Sequence, residues 1–207
     1  VPSRAPVTDQ AVWKARPAGP DYEATRRAVV EAAEGIVREQ GVRALRFESV
    51  ADRVGLHRSS LYRYFDSKEE LVTAVVVHAS LRVGQTVIAR LGADASPRRF
   101  LVEGLTIALA ELASDPVHRS LLDPSASEAM ARVGGRALTE GIRPLVEPAF
   151  VAAADQGILR PGVTPDDAIR WLQIVAVGLL RAPTGAADTP ELTRLLELML
   201  VPALFEA

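Results

Sequence analysis

The segment Phe47-Glu48-Ser49-Val50-Ala51-Asp52-Arg53-Val54-Gly55-Leu56-His57-Arg58-Ser59-Ser60-Leu61-Tyr62-Arg63-Tyr64-Phe65-Asp66-Ser67-Lys68-Glu69-Glu70-Leu71 decides how this chain folds. Phe47, Val50, Ala51 and Val54 recur at the spacing of one helical face. Gly55 supplies a tight turn, Leu56 packs inward, and Leu61 with Phe65 forms the inner side of a second short helix, over 58–64. That leaves Arg58, Ser59, Ser60, Tyr62, Arg63 and Tyr64 largely on the outside. A short exposed helix of this composition is poor core material. It suits the DNA major groove, where guanidinium groups read guanine edges and hydroxyls reach phosphates.

Working outward, Ser67 has the form of an N-cap, and Glu69 and Glu70 sit where they favour the positive end of a helix dipole. A helix is predicted from there to about residue 91. Upstream, Ala28, Val29, Ala32, Ala33, Ile36 and Val37 form the apolar stripe of a helix over 21–40, which Gly41 stops. Residues 1–20 contain Pro2, Pro6, Pro17 and Pro20 with Arg4, Lys14 and Arg16, and read as a flexible arm. Downstream, helices are predicted over 97–114, 116–122 and 125–156, the last interrupted at Pro144 and Pro148. Two more follow, over 165–181 and from 189 onward, each with proline at its first turn. No strand pattern and no internal repeat is present, so the expected class is all-α.

The helix over 166–181 carries Ile169, Trp171, Leu172, Ile174, Val175, Val177, Leu179 and Leu180, and is apolar almost all round. Such a helix must be covered on every side. Either the rest of the chain wraps it or a second copy covers it. We expect the latter, a homodimer sealed by helices about 165–181 and 190–205.

The composition bounds the rest. A chain of 207 residues, 48% hydrophobic and 24% charged, suits a compact protein with one large core, or a small domain attached to a larger one. It has no cysteine, which excludes disulfides and thiolate chemistry and fits a reducing cytoplasm. The first twenty residues lack the apolar stretch of a signal peptide. No uncharged apolar run reaches the roughly 18 residues of a membrane span. A cytoplasmic protein without a membrane partner is therefore expected. Net charge is −2, but unevenly spread. Between residues 40 and 68, Arg43, Arg46, Arg53, Arg58, Arg63 and Lys68 face only Glu48, Asp52 and Asp66, a local +3, whereas 71–207 sums to −3 from 12 basic and 15 acidic residues. Enzyme chemistry finds little support. The three histidines, His57, His78 and His118, lie far apart with no metal-binding spacing, and there is no glycine-rich phosphate loop. The adjacent carboxylates Glu69-Glu70 and Asp166-Asp167 stand at helix starts, where the dipole accounts for them. No metal, cofactor or catalytic residue is expected.

Val50-Ala51, Gly55, Leu61-Tyr62-Arg63-Tyr64-Phe65, Ser67-Lys68-Glu69 and Leu71 fall in the register of a known pattern. Over about 50 residues the chain resembles the tetracycline-repressor (TetR) family. The predicted helices, about nine, fit that resemblance, which implies a helix-turn-helix DNA-binding domain at 21–66 and a ligand-binding and dimerisation domain at 67–207. It places Tyr62 and Lys68 on phosphates, and Arg58, Ser59, Ser60, Arg63 and Tyr64 in the recognition helix. Glu48 and Ser49 stand where some members touch bases or backbone. The chain departs from the pattern twice: Arg46 stands where Thr or Ser usually caps the second helix, and His57 where Ser usually caps the third. Arg46 cannot cap but suits a phosphate. His57 leaves the recognition helix without its usual cap. Glu48 would repel phosphate, so it reads either as a base contact to cytosine or as a charge partner for a neighbouring arginine.

By the same resemblance the partners are a palindromic double-stranded DNA operator, a second copy of the chain and a small-molecule effector whose binding releases DNA. The expected pocket residues are Phe100, Ile107, Met130, Leu138, Ile142 and Trp171, with His78, Gln85, His118 and Arg132 as polar anchors. Few aromatics and few inward polar residues point to an apolar or amphipathic effector. A ligand-responsive repressor is the expected function. A helical interaction protein whose helix-turn-helix no longer binds DNA is the alternative, and the exposed Arg58, Arg63 and Lys68 argue against it.

Overall fold

The computed structural model describes residues 19–92, 95–122, 128–181 and 189–206, with only the backbone at 122, 128–132, 134, 135, 137, 138, 181 and 189. The arm at 1–20 therefore lies almost entirely outside the described residues. Helix α1, Pro20–Gln40, opens on proline with Asp21 and Glu23 in its first turn and ends at Gly41, whose φ of 81° few other residues accept. After a 3₁₀ turn, Val42–Ala44, come α2, Phe47–Val54, and α3, Arg58–Leu61. Gly55 closes α2 in the left-handed conformation, φ 68° and ψ 30°. The third helix is shorter than expected. At 62–64 the backbone tightens into bonds three residues apart, Arg63 N–H to the Ser60 carbonyl and Tyr64 N–H to that of Leu61. That contraction swings Phe65 fully into the core.

Helix α4, Lys68–Leu91, is capped by Ser67, whose hydroxyl accepts the Glu70 N–H at 3.1 Å, while the Glu70 carboxylate accepts the Asp66 N–H at 2.7 Å. Helix α5, Pro97–Arg99, passes through a π-helical turn, Phe100–Gly104, into α6, Leu105–Ser114. Then follow α7, Pro116–Leu122; α8, Glu128–Asp155; and α9, Pro165–Arg181. Last come α10, Thr189–Leu195; a second π turn, Leu196–Leu200; and α11, Val201–Leu204. Counting runs joined through π turns as one, the described residues hold nine helices. The expected interruption of α8 does not occur, for the helix runs through both Pro144 and Pro148. Both prolines are exposed, where water can serve the carbonyls they free. One isolated bridge, Leu159 to Phe205, is the extended pairing among the described residues.

Three clusters of buried side chains organise the molecule. The first joins α1–α4 around Val29, Leu45, Leu61, Phe65 and Leu71, all fully buried, and is closed by Val117 and Leu121 from α7. The second lies among the later helices around Leu101, Phe150, Ile169 and Leu196, and the third, Val83 with Leu112, bridges α4 to α6. Helix α4 has the length and hydropathy of a membrane span, mean hydropathy 1.5 over 18 residues, but half of that stretch is buried inside the protein. Its apolarity serves two cores at once, and it packs most extensively on α8.

Candidate functional site

The face built by α2 and α3 exposes Arg46, Glu48, Ser49, His57, Arg58, Ser59, Tyr62 and Arg63, with Ser60 and Lys68 half-buried at its margins. Arg58 is pre-oriented. Its Nε lies 2.9 Å from the Glu48 carboxylate and its guanidinium donates to the Tyr62 hydroxyl at 3.2 Å. Tyr62 is itself braced against Phe47, ring centroids 4.9 Å apart. Of the two readings of Glu48, the structure shows the charge partner. His57 does cap the recognition helix: its Nδ1 accepts the Ser59 N–H at 3.4 Å and lies 2.8 Å from the Ser59 hydroxyl. An imidazole nitrogen thus does what a serine oxygen does elsewhere. Arg46 makes no cap bond to α2, as its chemistry requires. It lies near enough to Lys68 that their repulsion, after the larger effect of burial, lowers the Lys68 pKa.

Tyr64 differs from the outward position its spacing suggests. It is half-buried and stacks on Tyr22 of α1 at 4.9 Å, while the Tyr22 hydroxyl donates to the Arg63 carbonyl at 3.3 Å. The tightened turn at 62–64 rotates it off the helical face, so its ring serves packing. Arg53, counted among the local cations, is spent on a bidentate pair with Glu39, at 3.0 and 2.8 Å.

Behind this face a polar network ties α1 to α4 and α7. Glu34, 5% exposed, takes Arg38, Arg82 and His78, the last at 2.7 Å. Burial opposes its ionisation, but these three cations and donors outweigh it and lower its pKa. Asp115 takes Arg38, Arg82 and, at 3.0 Å, Nδ1 of His118. Burial again opposes ionisation, and His118 with Arg38 overcomes it, holding the carboxyl at about 2. Ser120 of α7 accepts the Val42 N–H at 2.7 Å, directly into the turn that precedes α2.

In the body, α4, the first π turn, α6, α8 and α9 enclose an apolar cavity of about 60 Å³. Val87 and Ile88 of α4, Phe100 of the π turn, Ile142 and Leu145 of α8 and Leu172 of α9 are among its walls. Ser80 is the polar side chain in the lining among the described residues. Of the expected pocket residues, Phe100 and Ile142 line it. His78 turns instead toward Glu34, Gln85 is exposed, Ile107 is half-buried outside the lining, and Trp171 is 45% exposed. His118 is buried one residue behind the wall, 3.1 Å from Ser80. The side chains of Met130, Arg132 and Leu138 lie outside the described residues. Ser80 gave no sequence signal, being one hydroxyl in an apolar helix. Only its placement opposite His118, 38 positions away, marks it. No group of side chains suited to a metal occurs among the described residues.

Residues 29–75 match the family described as bacterial regulatory proteins, tetR family. The chain is 26% identical over 174 residues to an uncharacterized HTH-type transcriptional regulator found in two strains of Mycobacterium tuberculosis, covering 80% of this chain and 82% of the relative. Among solved structures, one described as the molecular basis for control of antibiotic production by bacterial hormones is 27% identical, with a TM-score of 0.55 over 88% of this chain and 98% of that one. RolR in complex with resorcinol, 17% identical, shares the fold at a TM-score of 0.68 over 88% of this chain and 91% of its own. The glycine turn, the aromatic cluster and the capped start of the fourth helix all lie within the matched stretch. Residues 29–75 thus match the tetR family of bacterial regulatory proteins, and over four-fifths of its length the chain is similar to a helix-turn-helix transcriptional regulator.

Proposed function

We propose that the protein is a ligand-responsive repressor that binds a palindromic operator as a homodimer and leaves it when a small apolar or amphipathic molecule enters the body. The observation that carries this reading is the double role of α4. Its first half shares the core of α1–α3 through Leu71, Val72 and Val75, and its second half forms one wall of the cavity. The domain division at 21–66 and 67–207 follows the same line. The cavity, about 60 Å³, is far smaller than the roughly 300–1,000 Å³ of a pocket that buries a drug-sized ligand. A larger ligand must therefore part α4 from α8 and the π turn. Only a ligand that binds one arrangement better than the other shifts the equilibrium between them.

For the interface, Arg46 and Lys68 serve phosphates, Tyr62 and Ser49 assist, and Arg58, held by Glu48 and Tyr62, reads a guanine edge. Arg63, His57, Ser59 and Ser60 complete the recognition surface. The homodimer accounts for the outward faces of the last helices. Trp171 and Ile174 on α9 are 45% and 57% exposed, and Leu198 and Met199 near the C-terminus 58% and 72%. The test is fluorescence anisotropy of the full chain on the duplex flanking its own gene, against a scrambled duplex, over a salt series. Preference for the native duplex, steep weakening with salt and saturation at one dimer per palindrome support the reading. Equal weak binding to both duplexes overturns it for that site and favours the interaction-protein alternative.

A further inference from the structure

Ser80, His118 and Asp115 form a chain that leads from the cavity wall to the reading head. The Ser80 hydroxyl lies 3.1 Å from Nε2 of His118, and Nδ1 of His118 lies 3.0 Å from Asp115. Asp115 in turn holds Arg38 of α1, and both Arg38 and Arg82 continue to Glu34. Ser80 and His118 are 1% and 3% exposed. The connectivity is that of a hydrolytic Ser-His-Asp triad. Yet Ser80 sits in the middle of α4, where backbone N–H groups are spent within the helix, so no donor pair waits for an oxyanion. The chain is fitted for recognition.

The proton positions follow from the partners. Asp115 is ionised, and its Oδ1 also accepts the backbone N–H of Val117 at 2.9 Å. A carboxylate only accepts, so Nδ1 of His118 carries the proton and donates. With Nε2 bare, that nitrogen is an acceptor and the Ser80 hydroxyl donates to it. The Ser80 hydrogen is thereby used up, and what Oγ offers the cavity is a lone pair. Among the described residues every other lining side chain is apolar.

Resting on the ligand-responsive reading, we propose that Ser80 and His118 are the polar anchor of the cavity, and that it selects small, mainly apolar effectors bearing one hydrogen-bond donor, an alcohol or N–H, over isosteres that only accept. A donor seated on Ser80 draws on the same oxygen that His118 holds. Its occupancy is felt at Asp115 and so at the α1 arginine that the reading head shares with the body.

Two isomers of one formula test this on the full chain: hexan-1-ol, which donates, and methyl pentyl ether, which does not. Binding to each is measured by calorimetric titration. The alcohol should bind roughly three- to tenfold tighter than the ether, the worth of one neutral hydrogen bond. Ser80→Ala should erase that preference. Equal binding of the isomers to the unaltered protein, or a preference that survives Ser80→Ala, overturns the anchor but leaves an effector cavity standing. Failure of both isomers to bind a protein that still binds its operator overturns the cavity reading and the anchor together. Because Ser80→Ala strips a partner from a buried imidazole, a second measurement needs no variant. Nitrogen NMR of the unaltered protein should show His118 as the neutral Nδ1–H form, and an Nε2–H ring overturns the donor selectivity.

Discussion

Arg58 illustrates how little a single contact means at the surface and how much it means on DNA. Its pair with Glu48 leaves both side chains 55% exposed, so it adds at most about 1 kcal/mol to folding. On the proposed operator the same carboxylate would cancel a cation that phosphates otherwise attract. Glu48→Gln should leave stability within about 0.5 kcal/mol, strengthen binding to scrambled duplex, and steepen the log–log salt slope by roughly 0.9 for each phosphate gained. Anisotropy over a salt series reads both, and an unchanged slope sinks the masking role. His57 makes a second case. His57→Ala should cost about 1 kcal/mol, the ordinary worth of an N-cap, and His57→Ser should recover it; urea denaturation measures each. Asp115 gives the third. Its carboxyl is held near 2, below its ordinary 3.8, against the opposing effect of burial. A depressed folded-state value means the contribution is fully present above the ordinary value and is lost as pH falls through the folded one. Stability on the order of 2 kcal/mol should therefore disappear between about pH 4 and pH 2. Asp115→Asn should lack that part of the acid transition. At this scale the sequence was legible in type but not in pairing. Residue identity put Arg58, Tyr62 and Lys68 on one face, yet whether Glu48 served a base or an arginine depended on a distance. Tyr64 was misread because the backbone leaves helical geometry at 62, and a periodic pattern assumes that it does not.

At the scale of elements, capping chemistry and apolar spacing carried nearly all of the reading. Pro20, Gly41, Gly55, Ser67, Pro97 and Pro165 stand where helices begin or end, because each acts on its own backbone within a few residues. The π turns at Phe100–Gly104 and Leu196–Leu200 were not legible, since an extra residue in a helical turn answers to packing between helices rather than to local preference. The cavity was only partly legible for the same reason. Phe100 and Ile142 could be named as apolar, but which apolar residues border a void depends on how α4 and α8 meet. That meeting rests on Gly84, where a Cβ would come within 2.4 Å of one Leu145 methyl and 2.9 Å of its Cγ. Alanine would favour the helix by about 1 kcal/mol, whereas forcing Leu145 aside costs roughly 1–3 kcal/mol. Gly84→Ala should thus be net destabilising in the native protein and stabilising in a Leu145→Ala background. A double-mutant cycle in denaturant decides it, and additive effects would mean that the two helices are not locked there.

For the whole molecule the question is what covers α9 and the C-terminal run. Their inward faces are settled, since Ile169, Leu172 and Ala176 meet Leu192, Leu196 and Leu200 in one core. Their outward faces leave Trp171 and Ile174 three residues apart, followed four residues on by Gly178, where an added Cβ would meet nothing. Leu195, Leu198 and Met199 stand at i, i+3 and i+4 and are likewise exposed. Two helical stripes of large apolar side chains in a chain of net charge −2 are costly to leave in water, and a glycine between them allows a second helix close approach. Burying such stripes in a two-fold interface also sets the distance between the two recognition helices, which fixes the spacing of operator half-sites. Ile174→Asp should then act far from DNA. It places a charge at the centre of the proposed seam, so it should yield a folded monomer with an unchanged helical signal. That monomer should bind a single half-site as weakly as the parent does, and should lose the gain that the parent draws from the second half-site. Sedimentation measures the mass, and anisotropy on one-site and two-site duplexes measures the gain. A dimer that survives Ile174→Asp with full affinity would place the interface elsewhere, and would leave the exposed faces of α9 and the last helices to another partner.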